Sequence, residues 1–461
     1  MGIFLKIVQL LLSLSILVLI HEIGHFMWAR FYKMRVDKFY LFFNPSFSIL
    51  RAKRIEGKWQ FSFFSSAVPE HWKEHPEKTE WGIGWLPLGG YCKIAGMIDE
   101  SMDKEQLKQE PQSWEYRAKP ARQRFWVLVG GVINNLLLAM LIYAGMLFTW
   151  GDHYLANTDA KYGVQCNELA LELGFRNGDK ILAFDGKPIE RFDELQKAMV
   201  RRQAKTATVL RGDDTLTFDI DQQYLPAMLQ QRVFALRVPF IVGNVPDTSH
   251  NFHVGLLSGD RIVAINDSSL IVFQDIQPLL QRYKGQEVNV GVQRGDSLLQ
   301  FVMLVNSDGM LGIVRADIVL ADEFTIIRQD YNLVSAIPAG VVMGCKTVGD
   351  YLSDLKLIFT PKTEAYKSVG SLITIGNIFP ETWEWYPFWY ITALLSIMLA
   401  VLNILPIPGL DGGHTLFVCY ELITRRKPSD KFLEYAQIAG FVFLIAIMVL
   451  AFGNDIYRLF K

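Results

Sequence analysis

Four stretches of the chain stay apolar for about 20 residues or more, the length a helix needs to cross a hydrocarbon core. They cover residues 3–29, 125–150, 385–405 and 432–452, and each is expected to be a membrane-spanning helix. Lys6 ahead of the first apolar run resembles the start of a signal peptide. The run ends instead in His21-Glu22-Ile23-Gly24-His25 with no small-residue cleavage pattern, so a retained helix is expected. Basic residues crowd the segment between the first two spans (Arg30, Lys33, Arg35, Lys38, Lys119, Arg122, Arg124). They also precede the fourth span (Arg425, Arg426, Lys427, Lys431). Positive charge near helix ends marks the cytoplasmic side. Both termini and the long segment 151–380 are therefore expected on the opposite side.

That outer segment contains an internal echo. Gly174-Phe175-Arg176-Asn177-Gly178-Asp179-Lys180-Ile181 returns 81 residues later as Gly255-Leu256-Leu257-Ser258-Gly259-Asp260-Arg261-Ile262. Each copy has a Gly-Asp turn, an apolar strand and an amphipathic stretch (192–200 and 273–282). Each then ends in Arg-Gly-Asp, at Arg211 and Arg294. The spacing suits two small domains in tandem, 151–240 and 241–320. They resemble PDZ domains in permuted order, a module that can bind a peptide at a sheet edge. A spacer or filter without a peptide ligand fits the pattern as well. Residues 352–378 mix Lys356, Lys362, Lys367 and Glu364 with apolar positions and read as amphipathic helices on the outer surface, within a linker 321–382.

Composition supports this layout. The 461 residues are 51% hydrophobic and 20% charged, and the mean hydropathy is +0.19, which excludes a disordered chain and is high for a wholly soluble one. With 46 basic and 47 acidic residues there is no global basic field, so no nucleic-acid partner is expected. Cys92, Cys166, Cys345 and Cys419 lie too far apart for a disulfide framework or a cysteine-rich zinc module.

His21-Glu22-Ile23-Gly24-His25 carries the candidate chemistry. Histidines at i and i+4 share one helix face and can hold one zinc ion, with Glu22 placed as a general base. Ionisable groups within an apolar span are costly and point to function. A catalytic zinc takes a third protein ligand. Asp411, in Asn403-Ile404-Leu405-Pro406-Ile407-Pro408-Gly409-Leu410-Asp411-Gly412-Gly413-His414, is the best candidate, and His414 competes with it. Pro406 and Pro408 are expected to interrupt the third helix there, and the glycines to permit a turn toward the metal.

A membrane-embedded His-Glu-x-x-His in the first span, joined to Leu-Asp-Gly after Pro-x-Pro in the third, resembles the site-2 protease family of intramembrane zinc metalloproteases. The likeness covers essentially the whole chain. It implies a polytopic α-helical membrane protein with four spanning helices, a membrane-associated β element in the cytoplasmic loop 30–124, and two periplasmic PDZ domains. It also implies the bacterial inner membrane. Pro87-Leu88-Gly89-Gly90-Tyr91-Cys92-Lys93-Ile94-Ala95-Gly96-Met97 is similar to the family's loop signature, and strand-like stretches at 52–64 and 81–94 suit the β element. The implied activity is cleavage of single-span membrane proteins, such as an anti-sigma factor or remnant signal peptides. Zn2+ would be held by His21, His25 and Asp411, with Glu22 as base. Asn135, Asn403, Gly89 and Gly90 are candidates to hold an unwound substrate; for the two asparagines, hydrogen bonding between helices is an equal alternative. Relatives carry Gly-Pro-x-x-Asn where this chain has Gly131-Val132-Ile133-Asn134-Asn135, and Ser-Gly-Pro-Ile near Gly370-Ser371-Leu372-Ile373. A non-proteolytic zinc-binding scaffold is the alternative reading, and retention of Glu22 argues against it.

Overall fold

The computed structural model describes residues 2–87, 89–97, 110–316 and 320–459. Leu88 of the loop signature, loop residues 98–109 and residues 317–319 at the end of the second expected repeat domain lie outside the described residues. The chain forms two compact units. One comprises residues 1–151, 330–356 and 366–461, and the other residues 152–329 and 357–365.

The first unit contains four helices long and apolar enough to cross a membrane: Gly2–Phe31, Ala121–Trp150, Trp385–Ile404 and a fourth within Asp430–Leu459. Each extends or closely matches its expected span. The first and second helices meet at Gly24 and Gly130, where a Cβ on Gly24 would lie 2.3 Å from the Gly130 carbonyl oxygen. Small residues permit such backbone contact, which is how helices associate where lipid removes the hydrophobic drive. The third helix packs against the second, with Ser396 Oγ donating to the Asn135 carbonyl at 2.8 Å. It stops at Ile404. The two prolines lack amide donors and cannot continue a helix. The chain turns through Gly409, at φ +84°, and a separate helix begins at Asp411 and runs to Thr424. Arg124 of the second helix donates to Glu421 at 2.5 Å and so anchors the far end of that helix.

Of two expectations for the helices, one holds and one does not. Val132, where relatives have proline, is buried inside an unbroken second helix. Amphipathic helices were expected from residue 352, but a single 26-residue helix, Leu333–Ile358, starts well before it. Its Gly340 and Gly344 abut Ala144 and Met140 of the second spanning helix. Glycine, proline and small residues in 335–344 disguise it, because helix propensity there is poor and tertiary contact stabilises the helix instead. Further on, Ser371 caps the short helix Leu372–Ile378, and its amide donates to Asp455 of the fourth spanning helix at 2.9 Å.

Between the first two spanning helices lies a five-stranded mixed sheet. Val36–Leu41 is parallel to Glu80–Leu86 on one side and antiparallel to Tyr91–Ile94 on the other. Glu80–Leu86 pairs onward with Phe43–Ile55, which pairs with the edge strand Lys58–Ser65. Arg51, Glu80 and Tyr40 form a buried polar cluster inside it, with Arg51 Nη1 donating to Glu80 at 2.7 Å and the Tyr40 hydroxyl donating to the same carboxylate. Trp59, Phe61 and Phe63 alternate on one exposed face of the edge strand.

The second unit carries the repeat. The strands Lys180–Phe184 and Arg261–Ile265 occupy equivalent places in two sheets, followed by helices Leu195–Arg201 and Phe273–Leu280. The repeated aspartates play the same part in both. Asp179 and Asp260 accept from Arg211 and Arg294, the arginines of the two Arg-Gly-Asp turns. Arg294 holds the Asp260 carboxyl below the usual carboxylate range. Strands Asp152–Leu155 and Ile326–Gln329 pair antiparallel, which brings the entry and exit of the unit together.

Candidate metal centre

The first spanning helix presents Gln9, Ser13, Leu17, His21 and His25 on its buried face. Residues four apart on a helix stack on one side. The two imidazoles stand edge to face, with ring centres 4.8 Å apart and planes at 81°. Their Nε2 atoms approach to 3.1 Å. Asp411, the first residue of its helix, directs Oδ2 to within 3.0 Å of His21 Nε2 and 3.3 Å of His25 Nε2. Among the described residues these three side chains form the one cluster of His, Cys, Asp and Glu whose ligand atoms converge. His414 is not part of that cluster.

The residues fit a zinc ion. A tetrahedral ion bound at about 2.0–2.1 Å separates its ligand atoms by roughly 3.3 Å, close to the three distances found. Two imidazole nitrogens and one carboxylate are a donor set that zinc favours, leaving one position for water. His25 Nδ1 lies 2.8 Å from the Val127 carbonyl oxygen. That contact fixes the proton on Nδ1 and frees Nε2 as a ligand atom. Gly131 clears the space. A Cβ there would fall 2.6 Å from His21 Cε1 and 2.7 Å from His25 Nε2.

Glu22 lies beside the cluster without joining it, and the backbone amide of Cys92 faces its carboxylate. This places strand Tyr91–Ile94 next to the proposed base. Gly90, just before that strand, is pressed against the first helix, since a Cβ there would lie 2.9 Å from Val18 Cγ1. Gly89 is tucked against the Phe43 ring. Asn403 Nδ2 is 3.3 Å from His21 Nε2, on the side where the ligand atoms converge. Asn135 is wholly buried, with Nδ2 3.4 Å from His21 Nδ1 on the opposite side of the ring. The structure thus gathers Asn135 and Asn403 around His21, keeps Glu22 beside the cluster on the first helix, packs Gly90 against that helix and sets Gly89 against Phe43 of the sheet. Sequence reasoning missed Gly131, Gly24 and the Val127 carbonyl. A Gly130-Gly131 pair inside an apolar span was the available signal for the first.

The family model for peptidase family M50 matches residues 9–69 and 66–447. The chain belongs to this family. A Xylella fastidiosa protein named as a zinc metalloprotease is 27% identical over 480 residues, covering 99% of this chain and 100% of the relative. The regulator of sigma-E protease RseP of Escherichia coli K12 is 25% identical over 473 residues, covering 97% and 98%. Protease RseP of Yersinia pestis is 25% identical over 490 residues and covers both chains completely. This family member is therefore a zinc metalloprotease, and its four long apolar helices make it a membrane protein.

Proposed function

We propose that the chain cleaves single-span proteins within the membrane, using a zinc ion held by His21, His25 and Asp411. The observation that carries this reading is the convergence of those three ligand atoms, both histidines from a helix apolar enough to span a bilayer and Asp411 from the start of the short helix that follows the third such helix. Bound there, zinc supplies Lewis acidity toward the scissile carbonyl and an attacking water. Glu22 takes the proton from that water and returns it to the leaving amine. Asn403, on the same side of His21, holds the substrate backbone. A spanning helix must unwind before its peptide bonds can be attacked. Strand Tyr91–Ile94, with Gly89 and Gly90 before it, offers an edge for the unwound segment by strand addition.

The substrates proposed are anti-sigma factors and remnant signal peptides in the bacterial inner membrane, with the active site toward the cytoplasm and the two PDZ-like repeats periplasmic. The repeats carry no proposed ligand or base, so their proposed role is to exclude substrates with intact outer domains. One experiment addresses both points. The protein, reconstituted in liposomes with a single-span substrate, should cut within the apolar segment once the substrate's outer domain is trimmed. Replacing residues 156–325, between the paired strands that close the second unit, by a short Asn-Gly turn should extend cleavage to untrimmed substrate. Cuts confined to residues outside the bilayer would contradict the intramembrane reading. A deletion variant that cleaves trimmed substrate but still refuses the full-length form would defeat the filter.

A further inference from the structure

We infer that Asn135 is a positioning residue for His21: its side-chain oxygen accepts the proton of His21 Nδ1 and keeps Nε2 aimed at the metal position. This rests on the ligand set proposed above. His21 Nε2 faces both Asp411 and His25, so Nε2 is the ligating atom and a neutral ring must carry its proton on Nδ1. The group opposite that Nδ1 is the Asn135 amide, with Nδ2 at 3.4 Å. In this orientation two donors face each other when metal is bound, while Oδ1, fully buried, has no partner. Oxygen and nitrogen of an amide occupy nearly the same shape, and their assignment follows the hydrogen-bond network. Exchanging them converts the donor–donor contact into Nδ1–H···Oδ1.

The second spanning helix makes the pattern coherent. Val127, Gly131 and Asn135 follow one another at spacings of four, on one face of that helix. The Val127 carbonyl accepts from His25 Nδ1, Gly131 leaves room for both rings, and Asn135 meets His21 Nδ1. One helix face thus orients both histidines from behind. Ser396 fixes the Asn135 backbone from the third helix. Asn135 is also poorly placed to hold a substrate, because it is 0% exposed and lies on the far side of the ring from Nε2. Asn403, on the near side, keeps that role.

Partners behind a metal-bound histidine typically contribute about 10–100-fold in metal affinity. The test is zinc affinity of the full-length protein in detergent, measured by chelator competition. Asn135→Leu keeps the branched shape at a somewhat larger volume and removes the acceptor, and should weaken zinc binding by about 10–100-fold. Asn135→Asp offers the same acceptor and should restore affinity to near that of the unsubstituted protein. A packing role predicts the reverse order, since leucine suits an apolar helix contact and aspartate does not. Unchanged affinity in Asn135→Leu, or equal losses in both variants, would overturn the inference. His21→Ala, measured alongside, isolates the ligand set: full zinc retention there would refute His21 as a ligand whatever the Asn135 variants show.

Discussion

Glu22→Gln is expected to lower cleavage by about 10²–10⁴-fold while one zinc per chain stays bound. General acid–base assistance by a positioned side chain is worth a factor of that size. The substitution keeps the shape of the side chain and its room beside the Cys92 amide. It removes the negative charge and with it the ability to accept a proton. Because Glu22 is outside the converging cluster, zinc content should not fall. Cleavage of a single-span substrate and zinc content, measured on the same preparation, separate loss of the base from loss of the metal. Turnover within about tenfold of the unsubstituted protein would exclude Glu22 as the base.

Gly131→Ala is expected to empty the metal site. The added Cβ would lie 2.6–2.7 Å from atoms of both imidazoles, on a helix whose backbone already touches the first helix at Gly24 and Gly130. Neither helix can retreat without opening that contact, so the rings must turn. Misplacement by about 1 Å is enough to cost roughly 10²-fold in rate, and turned imidazoles no longer converge with Asp411. Zinc content and cleavage should fall together, and further in Gly131→Val. Gly145, on the same helix, gives the control: a Cβ added there would meet nothing within 4 Å, so Gly145→Ala should retain both. Full zinc occupancy in Gly131→Ala would mean that the histidines are held elsewhere.

Much of this site is written in local sequence. The spanning helices follow from apolar length, the histidine pair from i,i+4 spacing, and the turn before Asp411 from two prolines and a glycine. The repeated Gly-Asp turns likewise announce the two similar sheets. What stayed hidden depends on partners distant in sequence. Nothing near Val36 signals that its strand runs parallel to Glu80–Leu86. The strand pair Asp152–Leu155 and Ile326–Gln329 joins segments on either side of the whole repeat. The helix Leu333–Ile358 is concealed by Gly340 and Gly344, the residues that let it approach the second spanning helix. Gly131 is silent for a related reason: a missing side chain matters only when two imidazoles from another helix fill its place.

Which residues hold the metal decides everything downstream, and the sequence offers two candidates for the third ligand. Asp411 and His414 sit three residues apart on the same short helix, yet of the two only Asp411 belongs to the cluster whose ligand atoms converge. Zinc per chain, measured by elemental analysis of purified Asp411→Ala and His414→Ala proteins, decides between them. With Asp411 as the third ligand, His414→Ala keeps one zinc and Asp411→Ala loses it. Full zinc in Asp411→Ala together with loss in His414→Ala would contradict that assignment.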